Sequence, residues 1–124
     1  MFQHMGITVT DKDDIEAFYK KLLGLKEVKR FDVSADLSEQ LFGIRKEVPV
    51  TVVSGEDFVI ELFLAEEHRP GDYNHIGISV PDPRDLMHRA EQMGYDVTYI
   101  EREAKPPLLF IRDRSGNNFE IKGT

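Results

Sequence analysis

Two histidines and two glutamates carry the chemistry most legible in this sequence: His4, Glu61, His75 and Glu120. Two imidazoles and two carboxylates form a mixed nitrogen and oxygen set suited to a borderline divalent cation, and water in the remaining positions would complete an octahedron. An open position would let such a centre acidify a water molecule or polarise a substrate oxygen. Without cysteine there is neither a thiolate site nor a disulfide framework.

What singles out these four is an internal repeat. The segment Phe2-Gln3-His4-Met5-Gly6-Ile7-Thr8-Val9 returns 71 positions later as Tyr73-Asn74-His75-Ile76-Gly77-Ile78-Ser79-Val80. Because side chains alternate along a strand, Met5, Ile7 and Val9 take one face and His4, Gly6 and Thr8 the other. The second copy repeats this with Ile76, Ile78 and Val80 against His75, Gly77 and Ser79. The last strand of each half matches: Ile60 and Leu62 flank Glu61, and Phe119 and Ile121 flank Glu120, so both carboxylates share the histidines' side of their sheets. A Glu set between Val59 and Phe63 would be costly to bury without a partner, and a cation removes that cost.

The elements that must position these residues also come in two copies. Each half opens a helix in an acidic stretch, residues 11–14 and 82–85, and stops it at Gly24 or Gly94. Ile15, Phe18, Tyr19, Leu22 and Leu23 form one apolar face; Leu86, Met87, Ala90 and Met93 form the other, with Pro83 in a first turn. Strand-like stretches follow at 26–31, 48–53 and 58–65, then at 97–101, 108–112 and 118–122, so each half reads β-α-β-β-β. The fold class is α+β, one domain over 1–124, with a first module of about 1–65, a linker of about 66–72 holding Pro70-Gly71, and a second module of about 73–124. The first half alone carries an extra helix between Val33 and Gly43, capped by Ser34 or Ser38, with Leu37, Leu41 and Phe42 on one side. Pro49 predicts an edge or bulged strand, and Pro106-Pro107 a rigid loop.

A net charge of -7 and no basic stripe argue against a nucleic-acid surface. No apolar run reaches the roughly 18 residues of a membrane span, and no basic, signal-type segment opens the chain, so a cytoplasmic protein without membrane contact is expected. His68 and His88 read as exposed, and Arg45, Arg102, Lys105, Arg112 and Arg114 as surface charges that could also meet a substrate carboxylate or phosphate.

In this order and spacing, the His4 to Val9 opening, Phe18-Tyr19 before Leu22-Leu23-Gly24-Leu25, Ile60-Glu61-Leu62, Asn74-His75-Ile76-Gly77, and Asp113 through Gly116-Asn117 to Phe119-Glu120-Ile121 resemble the vicinal oxygen chelate superfamily, also called the glyoxalase/bleomycin-resistance/dioxygenase family. The resemblance implies paired modules forming a curled-sheet cup around one metal, in a homodimer whose modules pair within one chain or across two. Some members bind a drug without metal. Extradiol dioxygenases and fosfomycin-resistance transferases typically use two His and one Glu, methylmalonyl-CoA epimerase is similar to His, Gln, His, Glu, and bacterial glyoxalase I uses His, Glu, His, Glu. The order here is the last. It implies a metal-dependent lyase or isomerase acting on a small molecule through an enediolate, with Ni, Co, Mn, Zn or Fe as cofactor, His4 and His75 as pure ligands, and Glu120, secondarily Glu61, also moving the proton. An epimerase-like isomerase, a ligand-binding resistance protein and an extradiol dioxygenase are the alternatives. No glutathione-binding set is recognisable, and the extra helix is expected near the mouth of the cup.

Overall fold

The computed structural model describes residues 4–68 and 73–124. Phe2-Gln3 of the repeat and Pro70-Gly71 of the expected linker lie outside the described residues. The chain divides into two compact units, Met1–His68 and Arg69–Thr124.

The first unit is an open, mixed four-stranded sheet in the order β1-β4-β3-β2, from strands β1 (Met5–Val9), β2 (Lys26–Val33), β3 (Val48–Ser54) and β4 (Val59–Leu64). The first and last strands lie side by side and parallel, and the others pair antiparallel. Helix α1 starts as one turn, Lys12–Asp14, capped by the Asp11 carboxylate accepting from the Asp13 amide, and continues in a wider π-helical winding over Ile15–Leu22. Its buried residues Ile15, Phe18, Tyr19 and Leu22 keep the spacing of one face, and Gly24 at φ 70° ends it as only glycine does cheaply. With Val9, Val53, Ile60 and Leu62, all at 0% exposure, they form the core between helix and sheet.

The second unit repeats the plan in the order β5-β8-β7-β6: β5 (Ile76–Val80), β6 (Asp96–Arg102), β7 (Lys105–Arg112) and β8 (Asn118–Gly123). Helix α3 (Pro83–Gln92) starts with Pro83, whose missing N–H costs nothing in a first turn, and the Asp82 carboxylate accepts from the Asp85 amide. Leu86, Met87 and Ala90 face Phe119, Ile121, Ile111 and Leu109, all buried. Among the described residues no helix is long and apolar enough to cross a membrane.

Two expectations about proline are corrected. The strand holding Pro49 is not an edge: β3 lies between β2 and β4. Proline is tolerated because pairing with β4 ends at Val50↔Phe63, so Pro49 has a partner, Asp32, on one side only. Pro106 and Pro107 are not in a loop; they lie in β7, where pairing with β8 covers only Phe110↔Glu120, Ile111↔Phe119 and Arg112↔Asn118. Both prolines thus fall outside the pairing with β8, and the Pro106 carbonyl accepts two bonds from the Arg102 guanidinium, 3.0 and 2.8 Å long.

The extra helix of the first half forms as α2 (Ala35–Phe42). The Ser34 hydroxyl accepts from the Leu37 amide, and Gly43 at φ 74° closes the helix. Its apolar side does not enter the core: Leu37, Leu41 and Phe42 are 44, 61 and 54% exposed.

Candidate metal centre

The parallel pairing of first and last strand brings histidine and glutamate together. In the first unit Gly6 lies opposite Glu61 in the register, and in the second Gly77 lies opposite Glu120. Each histidine stands two residues before its glycine on the same face of the strand, roughly 6.6 Å along it. In the second unit the glycine leaves the floor beside the carboxylate open, since a Cβ added at Gly77 would meet no atom within 4 Å, whereas at Gly6 the Phe63 ring lies 3.1 Å from that position. In both units the two longer side chains lean towards each other. His4 Nε2 is 3.5 Å from Glu61 Oε1, and His75 Nε2 is 3.4 Å from Glu120 Oε1.

These separations exceed a hydrogen bond, which runs at about 2.7–3.2 Å for nitrogen and oxygen, and suit a shared cation. Two donors each about 2.1 Å from one ion stand roughly 3.0 Å apart on an octahedral edge and about 3.4 Å apart on a tetrahedral one. The tautomer of His75 fits as well. Its Nδ1 lies 3.0 Å from the Tyr73 carbonyl oxygen, which can only accept, so in the neutral ring Nδ1 carries the hydrogen and the Nε2 lone pair is turned to Glu120. Phe110 holds the same ring from the side, edge to face at 5.6 Å. The carboxylates are mostly enclosed, with Glu61 25% and Glu120 18% exposed, while His4 and His75 remain 51 and 43% open. Lys122, two residues beyond Glu120 on the same face, brings its ammonium to 3.9 Å of Glu120 Oε2 and offsets part of its charge.

All four residues singled out in the sequence therefore stand in pairs, one pair in each unit. Among the described residues no group of three or more His, Cys, Asp or Glu side chains is gathered within one place. The Tyr73 carbonyl, Phe110 and Lys122 escaped sequence reasoning. Strand alternation alone would have put Lys122 beside Glu120, but Phe110 needs the β7–β8 register and Tyr73 needs the ring orientation.

Of the other charged candidates, Arg45, Arg102, Arg112 and Arg114 are engaged elsewhere, Arg102 with the Pro106 carbonyl. Arg45 pairs with Asp36 and Glu39, and Arg112 donates to Asp96 and Thr98. Arg114 lies 4.6 Å over the Tyr95 ring and donates to its hydroxyl. His88 is exposed, as expected, beside Glu91. His68 is not: it is partly buried, and its Nε2 has no hydrogen-bond partner among the described residues.

Twin βαβββ units each set a strand-borne histidine against a strand-borne glutamate. The chain belongs to the Glyoxalase/Bleomycin resistance protein/Dioxygenase superfamily, whose family model matches residues 1–121. Its fold is shared by the genomically encoded fosfomycin resistance protein FosX from Listeria monocytogenes, at a TM-score of 0.77 and 13% identity over 100% of this chain and 93% of that one. A glyoxalase family protein from Bacillus cereus gives a TM-score of 0.75 and 17% identity over 98 and 92%. A mutant of the Listeria FosX, with a TM-score of 0.75 and 15% identity over 100 and 90%, is complexed with Mn(II) and 1S,2S-dihydroxypropylphosphonic acid. The superfamily thus includes proteins that hold a divalent metal and a small molecule. No curated protein matches the chain.

Proposed function

We propose that the protein is a metal-dependent lyase or isomerase, akin to glyoxalase I in its ligand order, with His4, Glu61, His75 and Glu120 as the ligands of one divalent ion drawn from Ni, Co, Mn, Zn or Fe. The observation that carries this reading is the recurrence of one His–Glu pair at ligand spacing in both units, 3.5 Å in one and 3.4 Å in the other. A site of two histidines and one glutamate would require only one of these carboxylates.

When bound, the cation supplies electrostatic stabilisation of negative charge developing on a substrate oxygen. The remaining work falls to the side chains. Glu120 takes the proton from a hydroxyl-bearing carbon next to a carbonyl, and the electron pair of the broken C–H bond moves through the new C=C bond onto the carbonyl oxygen. The same carboxyl group returns the proton to the neighbouring carbon, while the hydroxyl proton passes to the other oxygen with Glu61 as relay. Atoms and charge balance, so no external oxidant is needed. His4 and His75 hold position; the Tyr73 carbonyl keeps the His75 lone pair free for its ligand role.

Metal content of protein purified without chelator, followed by turnover of a panel of hemithioacetals and acyl-CoA thioesters, tests the reading. Glu120→Gln should fold normally yet lose at least about a hundredfold in turnover. Full activity in that variant, or failure to take up any of the five metals, would reject it in favour of a metal-free binding protein.

A further inference from the structure

The first unit holds a cavity of about 340 Å³ that opens on the same face as His4 and Glu61. Its floor is Gly6 and Thr8 of β1 with Phe63 of β4; its wall is Phe42 of α2, Ile44 just beyond it, and Val48. Gly6 and Phe63 each stand two residues along their strands from His4 and Glu61, roughly 6.6 Å away. The Phe63 ring lies across Gly6, where an added Cβ would come within 3.1 Å of it, and Phe42 meets Phe63 edge to face at 5.5 Å.

Phe63 and Val48 also pack against the buried cluster of Val33, Val50 and Val52, but the outer wall of the cavity stays open. Helix α2 puts only Ser38 fully out of solvent, whereas Phe42 and Ile44 stay 54 and 57% exposed around the cavity. Exposed aromatic and aliphatic side chains grouped at one opening carry a cost that a bound apolar group recovers. The charges at the rim leave no cation for an anionic group: Lys46 is held by Glu66 at 3.1 Å, and the remaining charge, Glu47, is negative.

We infer that this cavity is the specificity pocket of the site, and that it takes the uncharged, apolar substituent, alkyl or aryl, of a substrate whose oxygens reach the metal. Phe42, Ile44 and Phe63 select the substrate, and α2 supplies the wall that carries Phe42. The inference rests on reading His4 and Glu61 as metal ligands, and its test separates the two.

Metal-loaded protein is titrated by calorimetry with lactate, 2-hydroxyhexanoate and mandelate, which share a chelating head and differ in the tail. The two longer tails should bind at least about tenfold more tightly than lactate, from the transfer of their extra carbons out of water. Phe42→Ala and Ile44→Asp, at positions more than half exposed, should retain the lactate affinity and lose that gain. In a second arm, metal-free protein is titrated with benzyl alcohol while amide shifts are followed by NMR, and Gly6, Thr8 and Phe63 should move. If the metal reading alone is wrong, lactate fails to bind and the benzyl alcohol shifts survive. Equal affinities across the three tails, with no shifts at those amides, would overturn the pocket. So would self-association abolished by Phe42→Ala together with exclusion of benzyl alcohol, which would make this face a contact between copies of the chain.

Discussion

His75 presents one ring nitrogen to the Tyr73 carbonyl at 3.0 Å and the other to Glu120 at 3.4 Å, so a single short turn and a single strand together fix both its tautomer and its direction. The edge of Phe110 completes that hold. Phe110→Ala should lower metal affinity about tenfold, the lower end of what removing a supporting contact costs, with a smaller effect on the fold than its size suggests because the ring is only partly buried. Competition with a chromogenic chelator measures it.

Metal binding should also appear as stability. An ion that binds only the folded chain contributes about 2.7 kcal/mol at a hundredfold excess over Kd, which raises Tm by about 10 °C in a chain of this size. A chelator should reverse the rise, and His75→Ala should abolish most of it. Calorimetry with each of the five metals would show which gives the largest shift.

Phe119 tests the other side of the same strand. Its ring is 0% exposed and sits next to Glu120 in sequence but on the opposite face, in the core with Ile111 and Ile121. Phe119→Ala should cost about 3–5 kcal/mol, a large part of an ordinary domain's stability, whereas Glu120→Gln should cost little. Urea denaturation of the two variants separates packing from chemistry at adjacent positions.

At the surface, Glu27 accepts two bonds from Arg30, 2.8 and 2.9 Å long, and an ion pair from Lys20, and these cations hold its carboxyl down to about 2 from an ordinary 4.5. A depressed carboxyl contributes stability that is fully present above its unfolded value and is lost as pH falls through its folded one. The stability difference between the wild type and Glu27→Gln should therefore be constant above pH 5 and shrink between about pH 4.5 and 2. It should also be small and fall with added salt, since the group is exposed. Urea titrations across that pH range give the curve.

Much of this was legible in the sequence because the relevant signals are local or repeated. The 71-residue offset, the alternation around His4 and His75, and the acidic helix starts closed by Gly24 and Gly94 each rest on backbone rules that hold without tertiary context, and each element formed where expected within a few residues. Pro49, Pro106 and Pro107 misled for the opposite reason. Whether a proline is tolerated depends on how far the neighbouring strand runs, and no local signal says that β4 stops pairing at Val50 or that β8 leaves β7 after Phe110. The π-helical winding of 15–22 was equally invisible, since its buried residues keep the same spacing as an α-helical face. The His–Glu separations lay beyond reach as well: strand faces give the side of the sheet, but only the parallel register sets Gly6 against Glu61 and Gly77 against Glu120.

That parallel register has a temporal consequence. The first and last strands of a unit are the neighbours that carry its His–Glu pair, so neither pair exists until its unit has been synthesised to the final strand and closed upon its opening one. A nascent chain ending before β8 lacks Glu120 and offers the second histidine no carboxylate in its own unit. Under the proposed four-ligand site, the full ligand set would come together only after β8 has been made.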